Sequence, residues 1–454
     1  MATIWAKQAL THSGWADDVR IDIDAGGRIA AIETAAAPAG NCVDLLLPAP
    51  VNSHSHAFQR AMAGLTERRG ADAADSFWTW RQLMYQFLDQ LSPEQVEAIA
   101  ALVQMEMLEA GYGTNVEFHY LHHQANGQPY DKLSEMAERI AAAREISGIG
   151  LTLLPVQYQY GGCNGQVLTG GQRRFHNTPD QYARLVGELQ TTLKSLPPDS
   201  RIGVAPHSLR AVAREQLQQA AALIDEGPVH IHIAEQLAEV DEVLACWGAR
   251  PVEWALNNLP IDARWCLIHA TQMTAEETIA LAQTGAVAGL CPITESNLGD
   301  GIFDGVRWMN AGGQISIGSD SNILISLAEE MRVLEHSQRL RDHTRAALAM
   351  PDVSTGRRIF DGICRGGAQA ADRGTGQIEP GQWADLLSLD MTNIDLCGLR
   401  GDTLLDAFVV AGSNSMVQDV WSAGRHLVQQ GRHIRREAII ARYSAAVAAL
   451  RSDR

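Results

Sequence analysis

Eight short apolar runs recur between residues 45 and 320, separated by stretches of helical period, and this alternation limits the fold more than any other feature. The runs are LLLPAPVNSH (45–54), GTNVEFHY (113–120), GLTLLPVQY (150–158), RIGVAPH (201–207), PVHIHIA (228–234), RWCLIHA (264–270), GAVAGLC (285–291) and GQISIGSD (313–320). Their length and bounding turn residues mark them as buried strands. Segments between them, such as SPEQVEAIAALVQMEMLEAG and YDKLSEMAERIAAAREISG, repeat apolar residues at helical spacing and stop on glycine. Eight strands alternating with helices is the count of a (β/α)8 TIM barrel, so the expected class is α/β.

The two ends of the chain have another texture. VRIDIDAGGRIAAIE alternates in and out around a Gly26-Gly27 turn, and GQWADLLSLD followed by AFVVAGSNSMVQDVWSAGRHLVQQGRH reads in the same way. One small β-unit built from both ends is expected. Residues 1–47 and 379–454, the latter closing in a terminal helix, then flank a barrel at 48–378.

Bulk properties narrow the partners. Hydrophobic content of 46% and charged content of 20% describe an ordinary globular protein. A formal charge of −17 repels nucleic acid and anionic membrane surfaces, so neither is an expected partner. Seven cysteines stand singly, without CxxC spacing, which removes zinc-ribbon, dithiol and cysteine-ligated deaminase readings. Each cysteine is expected to be a small buried hydrophobe in a reducing, cytoplasmic setting. The N-terminus lacks a signal-peptide core, and no apolar run approaches a membrane span.

Chemistry in such barrels sits at the C-terminal ends of the strands. Those ends carry His54 and His56, Glu117 and His119, His207, His232, His269 and Asp320. A single terminal histidine is more often structural than a ligand, but repetition over several strands in register is hard to explain that way. His54 and His56 are two apart, so they share a face of their strand. Together with His232 and Asp320 they supply three nitrogens and one oxygen, a set for one divalent ion with a position left for water. Zinc is preferred, and iron or manganese fit the same donors. His230 is expected to be a buried barrel residue, because His232 lies nearer the strand end. Glu235 leaves the same strand and is expected to shuttle the proton of water. The bland alternative is a carboxylate in the first turn of a helix. His269 is expected to hydrogen-bond that water or an oxyanion, against the alternative of a satisfied core imidazole.

HSHAFQRAMAG, FWTWRQLMY, EFHYLHH, PHSLRAV, HIHIAEQ, LIHAT, GLCPITESNLGDGIF and GSDS together resemble the N-formimino-L-glutamate deiminase family of the amidohydrolase superfamily, in its one-metal branch. The likeness runs over nearly the whole chain. It implies a TIM barrel with a β-sandwich made by both termini, and a homodimer. It also implies hydrolysis of N-formimino-L-glutamate, a small dicarboxylate, to N-formyl-L-glutamate and ammonia in histidine degradation. Matched onto the family motifs, the substrate contacts are Gln59, Arg81, Tyr120, His207 and Arg210. Arg81 and Arg210 are the expected carboxylate clamps, since a guanidinium donates two parallel bonds. For Arg81, beside Trp78 and Trp80, the alternative is a surface cation stacked on an aromatic ring; Arg60 is expected to have a structural partner. Ala49 and Asn322 depart from the pattern, where glycine and histidine are usual. The lysines are Lys7, Lys132 and Lys194, none on the fourth strand, which speaks for one metal rather than a lysine-bridged pair.

The mechanism expected has Asp320 and His269 orienting the water and taking its proton, and Glu235 protonating the departing nitrogen. Two rivals stand beside it. One is a deaminase of the same fold acting on a purine, pyrimidine or guanidino acid. The other is a barrel without catalysis that serves assembly.

Overall fold

The structure, a computed structural model, describes residues 2–67 and 77–452. Four strands open the chain: β1 (Ala2–Thr11), β2 (Gly14–Ile23), β3 (Ile29–Glu33) and β4 (Asn41–Pro48). Nine follow in the middle: β5 (Val51–Ser55), β6 (Thr114–His119), β7 (Gly150–Gln157), β8 (Ser200–Ile202), β9 (Ala205–Pro206), β10 (Val229–Ile233), β11 (Trp265–His269), β12 (Val287–Leu290) and β13 (Gln314–Ile317). Four close it: β14 (Leu386–Leu389), β15 (Val417–Ser422), β16 (Arg425–Gln429) and β17 (Arg432–His433).

The middle strands form the expected parallel barrel, in the order β10-β11-β12-β13-β5-β6-β7-β8, with β9 continuing beside β7. Val204 bridges Val229, and the His232 amide donates to the His207 carbonyl at 3.0 Å, so the ring closes. Several helices between the strands begin on side-chain caps. Ser92 and Gln95 form a reciprocal capping box ahead of the helix Pro93–Glu109, with proline in its first turn. That helix buries most of its length between the helix Glu135–Ser147 and the terminal helix Arg436–Ser452, which explains its near-continuous apolar sequence.

Three sequence expectations need correction. The run 45–54 is two strands in two sheets, because Pro48 and Pro50 lack the N–H that a continuous ladder needs. The run 201–207 is also two strands, split at Gly203. A Cβ there would lie 2.4 Å from the Leu154 side chain and 2.5 Å from the Pro228 carbonyl, so only glycine lets the neighbours approach. AFVVA belongs to a helix, Asp402–Ala411, whose buried Leu404, Leu405, Phe408 and Val409 follow helical spacing.

The terminal strands make one sheet in the order β17-β16-β15-β14-β4-β1-β2-β3. The ends are joined at β4, which pairs β1 in parallel and β14 antiparallel. The sheet curls until the β2–β3 turn meets the β15–β16 turn. Gly27, at φ +89°, sits so close to Ala423 that a Cβ would be 2.1 Å from its carbonyl oxygen. Ile4, Val19, Ile21, Leu46, Leu386 and Trp421 form a separate small core inside this curl. The terminal helix Arg436–Ser452 returns to the barrel, where Arg442 pairs with Glu97 at 2.6 Å and Arg436 with Glu109 at 3.1 Å.

A buried ionic knot ties barrel to sheet. Asp199, just before β8, accepts from Arg144 at 2.7 Å and from Arg425 of β16 at 2.5 Å. Arg373 lies 3.4 Å from the same carboxylate and also bonds Asp385 at 2.8 Å. Burial pushes Asp199 up, but the Arg425 hydrogen bond and the three guanidinium charges outweigh it and leave the carboxyl below 3.8.

Among the cysteines, Cys163, Cys266, Cys291 and Cys364 are buried as expected. Cys42 and Cys397 are exposed, and Cys246 is half-buried, because their segments run along the protein surface. No helix among the described residues is long and apolar enough to cross a membrane.

Candidate active site

The strand ends meet where the sequence places them, at the C-terminal mouth of the barrel. His54 Nε2 lies 3.1 Å from His232 Nε2 and 3.8 Å from Asp320 Oδ1. His56 Nε2 is 3.3 Å from the same carboxylate oxygen. The ring tautomers follow from the partners. His56 Nδ1 faces the Phe118 carbonyl at 2.9 Å and His232 Nδ1 faces the His207 carbonyl at 3.2 Å. A carbonyl only accepts, so each Nδ1 carries the proton and each Nε2 offers its lone pair to the common point. The ligand atoms of His54, His56 and His232 all lie within 4.8 Å of one another. A divalent ion with metal–nitrogen bonds of about 2.0–2.1 Å fits among donors this close. Burial holds these imidazoles neutral: His54 and His232 fall well below 6.5 and His56 to about 3. Neutral imidazole is the ligating form.

The backbone is strained where the strands leave the barrel around the donors. Ala234, His269, Ala270 and Asp320 all have φ between +48° and +69° or, for Asp320, +45°. Residues other than glycine seldom adopt that region, and such strain gathers at functional sites. Gly318 turns the chain off β13 beside His54, where a Cβ would be 2.6 Å from the histidine Cβ. Asn322 then fixes Asp320 by donating to its carbonyl at 2.9 Å and to Ser55 Oγ at 3.2 Å, so this departure from the family pattern has a local role. Ala49 stands with its Cβ 3.1 Å from the Cβ position of Gly113 and is accommodated by that glycine.

Beside the donors lie Glu235, 3.7 Å from His269 Nε2, and Glu295, 3.1 Å from His269 Nδ1. Burial disfavours a charge on His269, but Glu235, the hydrogen bond to Glu295 and Asp320 overcome it and raise the ring to about 10. Burial raises Asp320 to about 7, with His269 opposing. Glu235 is not in a helix: the following helix spans Leu237–Trp247, and Glu239 is the carboxylate in its first turn. His230 bonds the Ala370 carbonyl at 2.7 Å, and Arg60 pairs with Glu106 at 2.7 Å, both as expected.

A pocket opens above this floor. Gln59, Arg81, Tyr120, His207, Arg210, His56, His232, Glu235, His269 and Asp320 all line it, while His54 lies beneath, fully buried. Arg81 is buried and donates to Tyr158 Oη at 2.7 Å, so it is not a surface cation; the Trp78 side chain lies outside the described residues. Gln59 donates to Tyr120 Oη at 2.7 Å. Two strand-end residues fall outside the pocket. Glu117 accepts from the Ala57 amide at 2.7 Å, and burial raises it to about 7; His119 packs against His122.

Other residues in the site escaped the sequence reading. Tyr158 ends the run 150–158, a strand-end position like that of His207, but a tyrosine there carries neither a metal-ligand nor a carboxylate signal. Tyr85 and Phe175 reach the pocket from a helix and a loop with no local signal. Glu295 lies within GLCPITESNLGD, and only the contact with His269 shows its place.

Comparison with known proteins gives this site a context. The Amidohydrolase family model matches residues 45–427, and the model for Formimidoylglutamate deiminase HutF, N-terminal domain, matches 1–41. Formimidoylglutamate deiminase of Pseudomonas aeruginosa is 46% identical over 437 residues, 95% of this chain and 96% of its own. A crystal structure of an amidohydrolase from Brucella melitensis is 48% identical and superposes with a TM-score of 0.94, covering 99% of this chain and 100% of that one. An adenosine deaminase from Xanthomonas campestris with bound zinc shares the fold at 23% identity, TM-score 0.81, over 99% and 98% of the two chains. The chain therefore belongs to the amidohydrolase family, in the group of the formimidoylglutamate deiminases.

Proposed function

We propose that the protein hydrolyses N-formimino-L-glutamate to N-formyl-L-glutamate and ammonia, a step of histidine degradation. One observation carries the reading: His54, His56, His232 and Asp320 converge under a pocket whose wall holds Arg81 and Arg210. These four side chains would hold one divalent ion, zinc by preference. When bound, that ion supplies the Lewis acidity that makes water nucleophilic near neutral pH.

The chain's own groups do the rest. Arg81 and Arg210 hold the two carboxylates, while Gln59, Tyr120 and His207 contact the substrate from the pocket wall. His269 orients the attacking water, and Asp320 takes its proton. Glu235 then protonates the departing nitrogen, so ammonia leaves when the carbon–nitrogen bond breaks. In this reading residues 48–378 supply the site, and 1–47 with 379–454 supply the supporting sheet. Cytoplasmic residence and a homodimer belong to the same proposal, and sizing of the purified protein tests the second.

The deciding experiment measures ammonia release from N-formimino-L-glutamate on protein of defined metal content, beside a panel of purine, pyrimidine and guanidino substrates. Preferred turnover of the formimino acid is expected. Turnover of a nucleobase instead, or unchanged turnover after complete removal of divalent ions, would overturn the reading.

A further inference from the structure

Tyr158 stands at the end of β7 with its side chain fully buried, yet it lines the pocket beside Arg81 and His207. Among the described residues two side chains hydrogen-bond its phenol oxygen: Arg81 Nη2 at 2.7 Å and Gln172 Nε2 at 3.2 Å. Arginine can only donate. The Gln172 amide is fixed in orientation because its oxygen accepts from the Thr169 amide at 2.9 Å, which turns the NH2 group to the phenol. Both neighbours are therefore donors, and both lone pairs of the phenol oxygen are taken. The remaining group is the O–H proton, and among the described residues no acceptor receives it. A buried donor without an acceptor is costly, and the open direction is the pocket that the residue lines.

We infer that Tyr158 donates its O–H to the same substrate carboxylate that Arg81 holds, making a mixed guanidinium–phenol clamp. Gln172 acts as a positioning residue, since its NH2 group fixes the direction of the phenol proton. The inference rests on the function proposed above and deepens it by adding a carboxylate-binding residue. The clamp is held by the loop that follows β7, in the stretch QYQYGGCNG (157–165) and the residues after it.

The test uses the metal-loaded full-length enzyme and three substrates: N-formimino-L-glutamate, N-formiminoglycine, which lacks the side-chain carboxylate, and 4-formiminobutyrate, which lacks the α-carboxylate. Tyr158→Phe is expected to lose ten- to hundredfold in kcat/KM on the dicarboxylate, expressed in KM. On one monocarboxylate analogue the loss should disappear, and it should be the same analogue that is indifferent to Arg81→Met. An equal loss on all three substrates, or no loss on any, would overturn the inference. Because Tyr158→Phe removes an acceptor shared by two buried donors, Gln172→Leu is measured in parallel. It should show the same substrate pattern with a smaller loss, and a uniform effect or none would again count against the clamp. Absence of ammonia release by the unmodified enzyme on all three would instead refute the proposed function and is separately visible.

Discussion

Two buried clusters of charge occupy opposite ends of the barrel, and they are built on opposite terms. At the N-terminal end, Asp199 is surrounded by Arg144, Arg373 and Arg425, and its carboxyl is held below 3.8. At the mouth, Asp320 faces histidines and further carboxylates, and burial raises it to about 7. Asp300, close behind, is raised to about 9 by burial and by Glu235. The first cluster has matched its charges within the chain and works as a fastener between barrel and terminal sheet. The second gathers carboxylates that are not matched by as many guanidinium groups, and under the proposed function a cation below and a cationic formimino group above would complete it. A buried cluster that does not neutralise itself marks the place where ligands act.

Breaking the unmatched cluster should have the largest effect on activity. Asp320→Asn, or removal of divalent ions by a chelator, should abolish ammonia release while the circular dichroism of the barrel persists. Glu235→Gln should keep its metal, measured by elemental analysis, and lose roughly 10²–10⁴-fold in kcat. The matched cluster should respond in the other currency: Asp199→Asn should lower stability in urea by roughly 3–5 kcal/mol, by leaving the buried Arg144 guanidinium without its carboxylate, with kcat/KM unchanged. Arg210→Met should lower kcat/KM by about 1.5–3 kcal/mol through lost charge-assisted bonding, without a shift in the urea midpoint. The smallest effect is the pH dependence of the fastener. A carboxyl whose folded value lies below its unfolded value of 3.8 stabilises fully above that pH and loses the contribution as pH falls through the depressed folded value. The stability gap between wild type and Asp199→Asn should therefore narrow on acidification below about pH 4 and stay constant above it. A gap that widened in acid would mean that Asp199 is not held ionised by its arginines.

Legibility differed between these regions for physical reasons. Strand ends and clustered donor residues near the mouth were readable because a strand exit is local: His54 and His56 share a face by period alone, and the polar ends stand out after apolar runs. Glu117 and His119 show the limit of that rule. They end a strand just as His232 does, yet one caps the Ala57 amide and the other packs on His122. AFVVA failed for a related reason, since a short apolar run carries too few residues to separate period 2 from period 3.6. The Asp199 knot could not be read at all. Its members are spread from residue 144 to 425, and arginines and aspartates at such separations carry no periodic signal.

By itself the sequence determined the barrel, the donor types for a metal and, through its motifs, the family, because alternation and strand-end chemistry are properties of neighbouring residues. Tertiary structure alone decided which histidines face one point, how Tyr158 and Gln172 brace Arg81, and where unlike charges are matched or left open. Those outcomes depend on the closure of the ring and on left-handed turns at Ala234, His269 and Asp320. Closure and strain are settled by packing across hundreds of residues, which no local pattern encodes.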